Sequence, residues 1–199
     1  RNYGKAGFLD ADIDNSNFAQ FTNFKGVVEV TRDKKFKLPE WEGIKVFSTS
    51  LLVGRDRGVS MTSDRYVMMI NDALIYGDWG DIDYMIIDLP SGSSDVWKGV
   101  LTIFSEVLLG DIIVIQPNMV DSAIKSIKLH KYFDVPVVGI IENMAYFECP
   151  KCKSKHYVFG EPIGELLAGK YGYKYLGAIP VIPDLYEKLK AGKPIVDVN

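Results

Sequence analysis

The residues best placed to do chemistry in this 199-residue chain form three groups. Two are carboxylates at the ends of apolar runs. Tyr84-Met85-Ile86-Ile87 ends in Asp88 and is followed by Leu89-Pro90-Ser91-Gly92, a turn. A carboxylate at the tip of a buried strand can hold magnesium beside phosphates, directly or through water. Ligands of open α/β sheets bind at that edge. An aspartate that only caps the turn would have the same sequence. Phe8-Leu9-Asp10-Ala11-Asp12 repeats the arrangement with two carboxylates at alternate positions, which share a face while the strand persists. Such a pair is costly unless a cation, water or donors compensate. A phosphate–magnesium site would do so, and a solvated loop start would not need it.

The third group is Cys149-Pro150-Lys151-Cys152, with His156 nearby. A C-x-x-C spacing lets two sulfurs grip one metal ion or cluster. Two thiolates are not four, and a two-fold dimer would complete a four-cysteine site on its axis. Zinc and a [4Fe–4S] cluster both accept that ligand set. A thioredoxin-like redox pair normally opens a helix near the start of a different fold. Here Pro150, Lys151, Lys153 and Lys155 mark an exposed knuckle, and His156 reads as a bystander.

The elements that must carry these groups alternate. Apolar bursts at 6–9, 27–30, 44–47, 84–87, 112–115, 137–141 and 175–179 read as strands, several of them continuous Val/Ile runs suited to a parallel sheet buried on both faces. Helical periods are expected from Ser63 as N-cap to Tyr76, and over 95–109, 121–133, 162–171 and 184–191. The alternation predicts a doubly wound α/β fold, a mostly parallel sheet with helices on both faces. Residues 27–31 and 44–49 are expected as an antiparallel excursion, 16–24 as a loop or poor helix, and 52–61 as a mobile loop.

Bulk properties suit one domain over 1–199, with 47% hydrophobic and 25% charged residues. A net charge of -3 argues against a nucleic-acid partner, and no apolar run is long enough for a membrane span. Two cysteines this close make no secreted disulfide framework and point to a reducing, cytoplasmic setting.

The order of motifs carries a resemblance. Leu9-Asp10-Ala11-Asp12-Ile13, Asp83 to Pro90, Gly139-Ile140-Ile141-Glu142-Asn143-Met144, Cys149 to Cys152, Phe159-Gly160, Leu176-Gly177-Ala178-Ile179-Pro180 and Ala191 to Val196 follow one another as in the Mrp/ApbC family of iron–sulfur carrier ATPases. That family belongs to the deviant-Walker P-loop class with MinD and ParA, which lack the cysteine pair. The resemblance implies ATP with Mg²⁺ as cofactors. Asp12 would be the switch I acid near the attacking water, with Asp10 at the same strand end. Asp88 would be the Walker-B acid, and Gly92 part of switch II. Asn143 would recognise adenine, and Pro180 would line the base pocket. Cys149 and Cys152 would bind a [4Fe–4S] cluster bridging a homodimer, for delivery to apo-proteins. The chain departs from the family at Asp14-Asn15-Ser16-Asn17, at Ser91-Gly92-Ser93-Ser94 and at Thr62-Ser63-Asp64-Arg65, which implies slow hydrolysis.

No Walker A loop stands in the chain. Gly164 with Gly169-Lys170-Tyr171 is the nearest match, but a tyrosine cannot replace the Ser/Thr hydroxyl on magnesium, and no strand precedes it. In the resembled class the phosphate-loop strand lies inside the sheet, and each backbone group left unpaired there would cost about 1–3 kcal/mol. The expectation is a strand plus G-K-G-G-x-G-K-[ST] upstream of Arg1. Two other readings use the same residues: a MinD/ParA-like positioning ATPase with structural zinc, and a non-catalytic metal-binding scaffold. The first would carry an amphipathic tail or a basic patch, neither of which Lys188 to Asn199 displays.

Overall fold

The computed structural model describes residues 4–13, 15–54, 61–90 and 95–191. Its elements are β1 (Ala6–Asp10), α1 (Phe18–Thr22), β2 (Glu29–Val30), β3 (Phe36–Lys37), β4 (Glu40–Trp41), β5 (Ile44–Phe47), α2 (Thr49–Leu52), α3 (Ser63–Tyr76), β6 (Tyr84–Asp88), α4 (Asp95–Phe104), β7 (Asp111–Ile115), α5 (Val120–Tyr132), β8 (Val137–Glu142), β9 (Phe147–Glu148), β10 (Lys155–His156), α6 (Gly164–Tyr171), β11 (Tyr175–Ala178) and α7 (Leu185–Lys190). They fall into two compact units, one reaching Ile103 and taking up the chain again at Asp184, the other Phe104–Pro183.

The first unit is built on a four-stranded sheet in the order β4-β5-β1-β6. β1 is parallel to both β5 and β6. Its Leu9 and the neighbouring Val46 and Phe47 are fully buried, as apolar runs in parallel sheets require. On α3 the buried positions Tyr66, Ile70 and Ala73 lie on one face at helical spacing. Gly99 of α4 faces α3, where a Cβ would stand 2.4 Å from a methyl of Val67, so a helix-weakening residue is kept for close approach. β6 is an edge strand of this sheet, with Tyr84 50% and Ile86 55% exposed.

The segments expected as one antiparallel excursion separate into two hairpins. β2 pairs antiparallel with β3, and β4 with β5. Turn chemistry decides this. Thr31 N–H and hydroxyl bind around Lys35, with Lys34 at φ 62, and close the first hairpin. Glu42 and Gly43, both at positive φ, close the second as a two-residue turn. Residues 16–24 do contain a helix, α1, of one turn and a half, ended by Asn23 in the left-handed region. Most of the expected loop after residue 52 lies outside the described residues.

The second unit holds the parallel sheet β11-β8-β7. Ile113, Ile115 and Ile140 of the sheet pack with Ala123 and Ile127 of α5 and with Leu167 and Ala168 of α6. The Gly169-Lys170-Tyr171 stretch is the end of α6, capped by Gly172 at φ 76, so it is a helix terminus rather than a phosphate loop. The helix expected over 95–109 stops at Phe104. Among the described residues no helix is long and apolar enough to cross a membrane.

Candidate functional site

Parallel pairing puts the acids of β1 and β6 side by side, because Asp10 and Asp88 are register partners and Ala11 N–H donates to the Asp88 carbonyl at 2.8 Å. Asp10, Asp12 and Asp88 line one cavity of about 180 Å³ with Asn15, Asn17 and Phe18. Asp10 is only 2% exposed. Its Oδ2 accepts the hydroxyls of Ser16 at 2.6 Å and Ser48 at 2.9 Å. Its Oδ1 is buried without a partner among the described residues. Burial drives the Asp10 pKa up. The two serine hydrogen bonds oppose this, the charges of Asp88 and Asp12 add to it, and the net shift is upward. Asp88 is also raised, first by burial and then by Asp12.

Among the described residues no three His, Cys, Asp or Glu side chains converge on a point that would enclose a metal ion. Three hard carboxylates around one cavity, one with an orphaned oxygen, nevertheless suit magnesium. Magnesium takes one or two carboxylates and completes its shell with water and phosphate oxygens.

The second unit holds the other candidates. Ile179 N–H donates to the Glu142 carbonyl at 2.8 Å, Ala145 N–H to Ile179 at 3.0 Å and Val181 N–H to Tyr146 at 2.7 Å. These bonds lace the loop bearing Asn143 to the segment bearing Pro180, so the two residues expected at one base pocket are brought together. The Asn143 Oδ1 accepts Met144 N–H at 2.9 Å, which leaves the amide NH₂ to donate elsewhere. Glu142, fully buried, accepts Ile163 N–H at 2.7 Å and ties the same loop to the start of α6.

The turn of the β9–β10 hairpin begins at Cys149, just after β9 ends at Glu148. Cys149 N–H donates to the Ser154 carbonyl and Lys153 N–H to the Cys149 carbonyl, each at 2.9 Å, so the C-x-x-C stretch is a tight knuckle. Cys149 is half-buried and Cys152 exposed, and both are free thiols. The Cys152 sulfur lies 3.0 Å from the Ser154 hydroxyl, which lies 3.0 Å from His156 Nε2. The Ser154 hydroxyl, its backbone and Cys149, in that order, pull the Cys152 thiol down to about 7.

Asp10, Asp12 and Asp88 thus share one cavity, Asn143 and Pro180 one pair of loops, and Cys149 and Cys152 one knuckle. Gly92 lies outside the described residues. Several residues that hold these groups in place were not legible beforehand. Ser16 and Ser48 bind Asp10, and the only hint was a Ser-Thr-Ser run at a strand end. His156, read from sequence as a bystander, is hydrogen-bonded into the knuckle. His130 on α5 is 3% exposed, and its two ring nitrogens each lie 2.7 Å from an oxygen, Nδ1 from the Ser126 carbonyl and Nε2 from Asp111.

Parallel sheets with acids at the carboxyl ends of their strands define an α/β protein of the P-loop NTPase class. The comparisons agree. The family model for ParA, described as NUBPL iron-transfer P-loop NTPase, matches residues 1–199, and the chain belongs to that family. The chain is 34% identical to an iron–sulfur cluster carrier protein of Aquifex aeolicus over 96% of its own length and 53% of that protein's. It is 33% identical to the iron–sulfur cluster transfer protein NUBPL of Dictyostelium discoideum, over 77% of this chain and 47% of that one. It therefore spans about half the length of these relatives. A nucleotide-binding protein of Archaeoglobus fulgidus, solved in complex with ADP and with cobalt found, superposes with a TM-score of 0.76 at 31% identity, over 95% of this chain and 74% of that one. MinD of Pyrococcus horikoshii shares the fold, with a TM-score of 0.61 at 14% identity, over 98% of this chain and 76% of that one.

Proposed function

We propose that this chain belongs to an ATP-dependent iron–sulfur carrier that holds a [4Fe–4S] cluster between two copies of itself and passes it to apo-proteins. The observation that carries the reading is the thiol pair, Cys149 half-buried and Cys152 exposed, on a hydrogen-bonded knuckle a few residues from the Asn143 loop. Two thiols per chain are half of a four-cysteine ligand set, and a two-fold axis supplies the rest. Exposure suits cargo that must leave, and such thiols persist in a reducing compartment such as the cytoplasm.

In this reading Asp12, half-buried in one cavity with Asp10 and Asp88, orients an attacking water, and the Asn143 amide and Pro180 receive the adenine. Asp88 and Asp12 would hold Mg²⁺, which neutralises phosphate charge when bound.

The test is anaerobic purification of the full-length protein with assay of iron, sulfide and zinc, beside a Cys149→Ala/Cys152→Ala variant. About four iron and four sulfide per dimer, lost in the variant, support the carrier. Zinc alone, or iron that survives the double substitution, overturns it.

A further inference from the structure

Ser154 and His156 form a chain of hydrogen bonds that ends on the Cys152 sulfur, and three features give it direction. The Ser154 carbonyl accepts Cys149 N–H at 2.9 Å, so this residue is tied to one cysteine by its backbone and to the other by its hydroxyl. His156 is fixed in its turn, because β10 pairs it with Phe147 and the two rings lie 6.2 Å apart. His156 Nε2 is 3.0 Å from the Ser154 oxygen, and when that nitrogen carries its proton it fills the hydroxyl's acceptor site. The Ser154 hydrogen is then left for the sulfur 3.0 Å away. Ser154 and His156 are both exposed, so neither contributes to a core.

We propose that Ser154 and His156 are positioning residues for Cys152, with the Ser154 hydroxyl donating to the sulfur and His156 holding that hydroxyl in place. The sulfur then meets an incoming metal or cluster already oriented and hydrogen-bonded, and a retained hydrogen bond spreads the ligand's negative charge. This rests on the carrier reading, since it presumes that Cys152 is a ligand. Partners of metal ligands tune affinity strongly, and their loss typically costs about 10–100-fold. At an exposed knuckle the lower end of that range applies.

The experiment titrates Co²⁺ into the metal-free, reduced full-length protein at pH 7 and follows the thiolate-to-cobalt charge-transfer band. Wild type, Ser154→Ala, His156→Phe, Ser154→Thr and Cys149→Ala/Cys152→Ala are compared. His156→Phe keeps an aromatic ring against Phe147 and removes both ring nitrogens, and with them the bond to Ser154. Ser154→Ala is expected to weaken Co²⁺ binding about ten-fold and to shift the band. His156→Phe should act in the same direction by less, and Ser154→Thr, which keeps the hydroxyl, should restore both readouts. A wild type that binds through its cysteines while Ser154→Ala and His156→Phe match it in affinity and band overturns the inference and leaves the carrier reading intact. Binding that is absent from wild type, or that survives the double cysteine substitution, overturns both.

Discussion

Asp10 and Cys152 sit in opposite surroundings. At the end of β1, Asp10 is 2% exposed, grips two serine hydroxyls and keeps one oxygen without a partner. At the tip of the β9–β10 hairpin, Cys152 is exposed and held by one hydroxyl and by the turn's backbone. Burial acts on them in opposite ways. It pushes the Asp10 carboxyl up, whereas the Cys152 thiol has little burial to fight and is drawn down to about 7 by its donors. A sealed carboxylate suits chemistry from which water must be excluded. An open thiolate suits a cargo that arrives and departs.

Substitutions can break that contrast. The largest effect is expected at the knuckle. Cys149→Ala/Cys152→Ala should take bound iron from about four per dimer to none while leaving the melting temperature unchanged, read by iron assay and calorimetry. A large fall in melting temperature would show that the knuckle is structural. Next is Asp12→Ala, expected to slow ATP hydrolysis by the full-length protein about 100-fold with nucleotide affinity retained, read by phosphate release and equilibrium binding. A loss of affinity equal to the loss of rate would move Asp12 from water positioning to ground-state binding.

A third test asks whether burial alone separates the two regions, using a buried pair that lies in the same unit as the knuckle. Burial of His130 disfavours its charge, but the Asp111 hydrogen bond, the Ser126 carbonyl and the Asp111 charge outweigh it, and its pKa is raised. Nδ1 faces a carbonyl and Nε2 a carboxylate, so both ring nitrogens have an acceptor and the protonated ring is favoured. A raised folded value means that the stabilisation is complete below the unfolded value, near 6.5, and is lost as pH rises through the folded one. His130→Phe should cost about 3 kcal/mol at pH 6 and less at pH 9, by urea denaturation. A loss that grows with pH would refute the assignment. The smallest effect expected is at Asp10, where Asp10→Ala removes the acceptor of two buried hydroxyls at a cost of about 1–3 kcal/mol, partly offset because Ser16, Ser48 and Ser50 can bond one another. A gain in stability would mean that the cluster's charge dominates its hydrogen bonds.

Much of the frame was legible beforehand. The runs at 6–9, 44–47, 84–87, 112–115 and 137–141 are strands, and α3 occupies Ser63–Tyr76 as its period implied, although Thr62 rather than Ser63 is the N-cap. The single antiparallel excursion expected over 27–31 and 44–49 was wrong, because two short turns close separate hairpins, β2–β3 and β4–β5. In the site, the acids and the cysteine pair stood out by type and spacing, whereas Asn143 and Pro180 were pointed to only by the family resemblance. The supports of these residues did not stand out, since Ser48 lies 38 residues from Asp10 and a serine carries no periodic signal.

The division has a physical cause. Sequence by itself determined which residues could do chemistry and which segments would be strands or helices, because residue type and local period are properties of neighbours along the chain. It also determined the C-x-x-C pair, whose two cysteines are near neighbours along the chain, but not the hydrogen bonds that link Cys152 through Ser154 to His156. Tertiary structure alone decided that Asp10 stands beside Asp88 and that its second oxygen is sealed without a partner. It alone decided that Asn143 is laced to the segment of Pro180 and that His130 is buried against the Asp111 carboxylate. Each of those facts depends on strand register or on burial by distant residues, and neither is written in the spacing of any one segment.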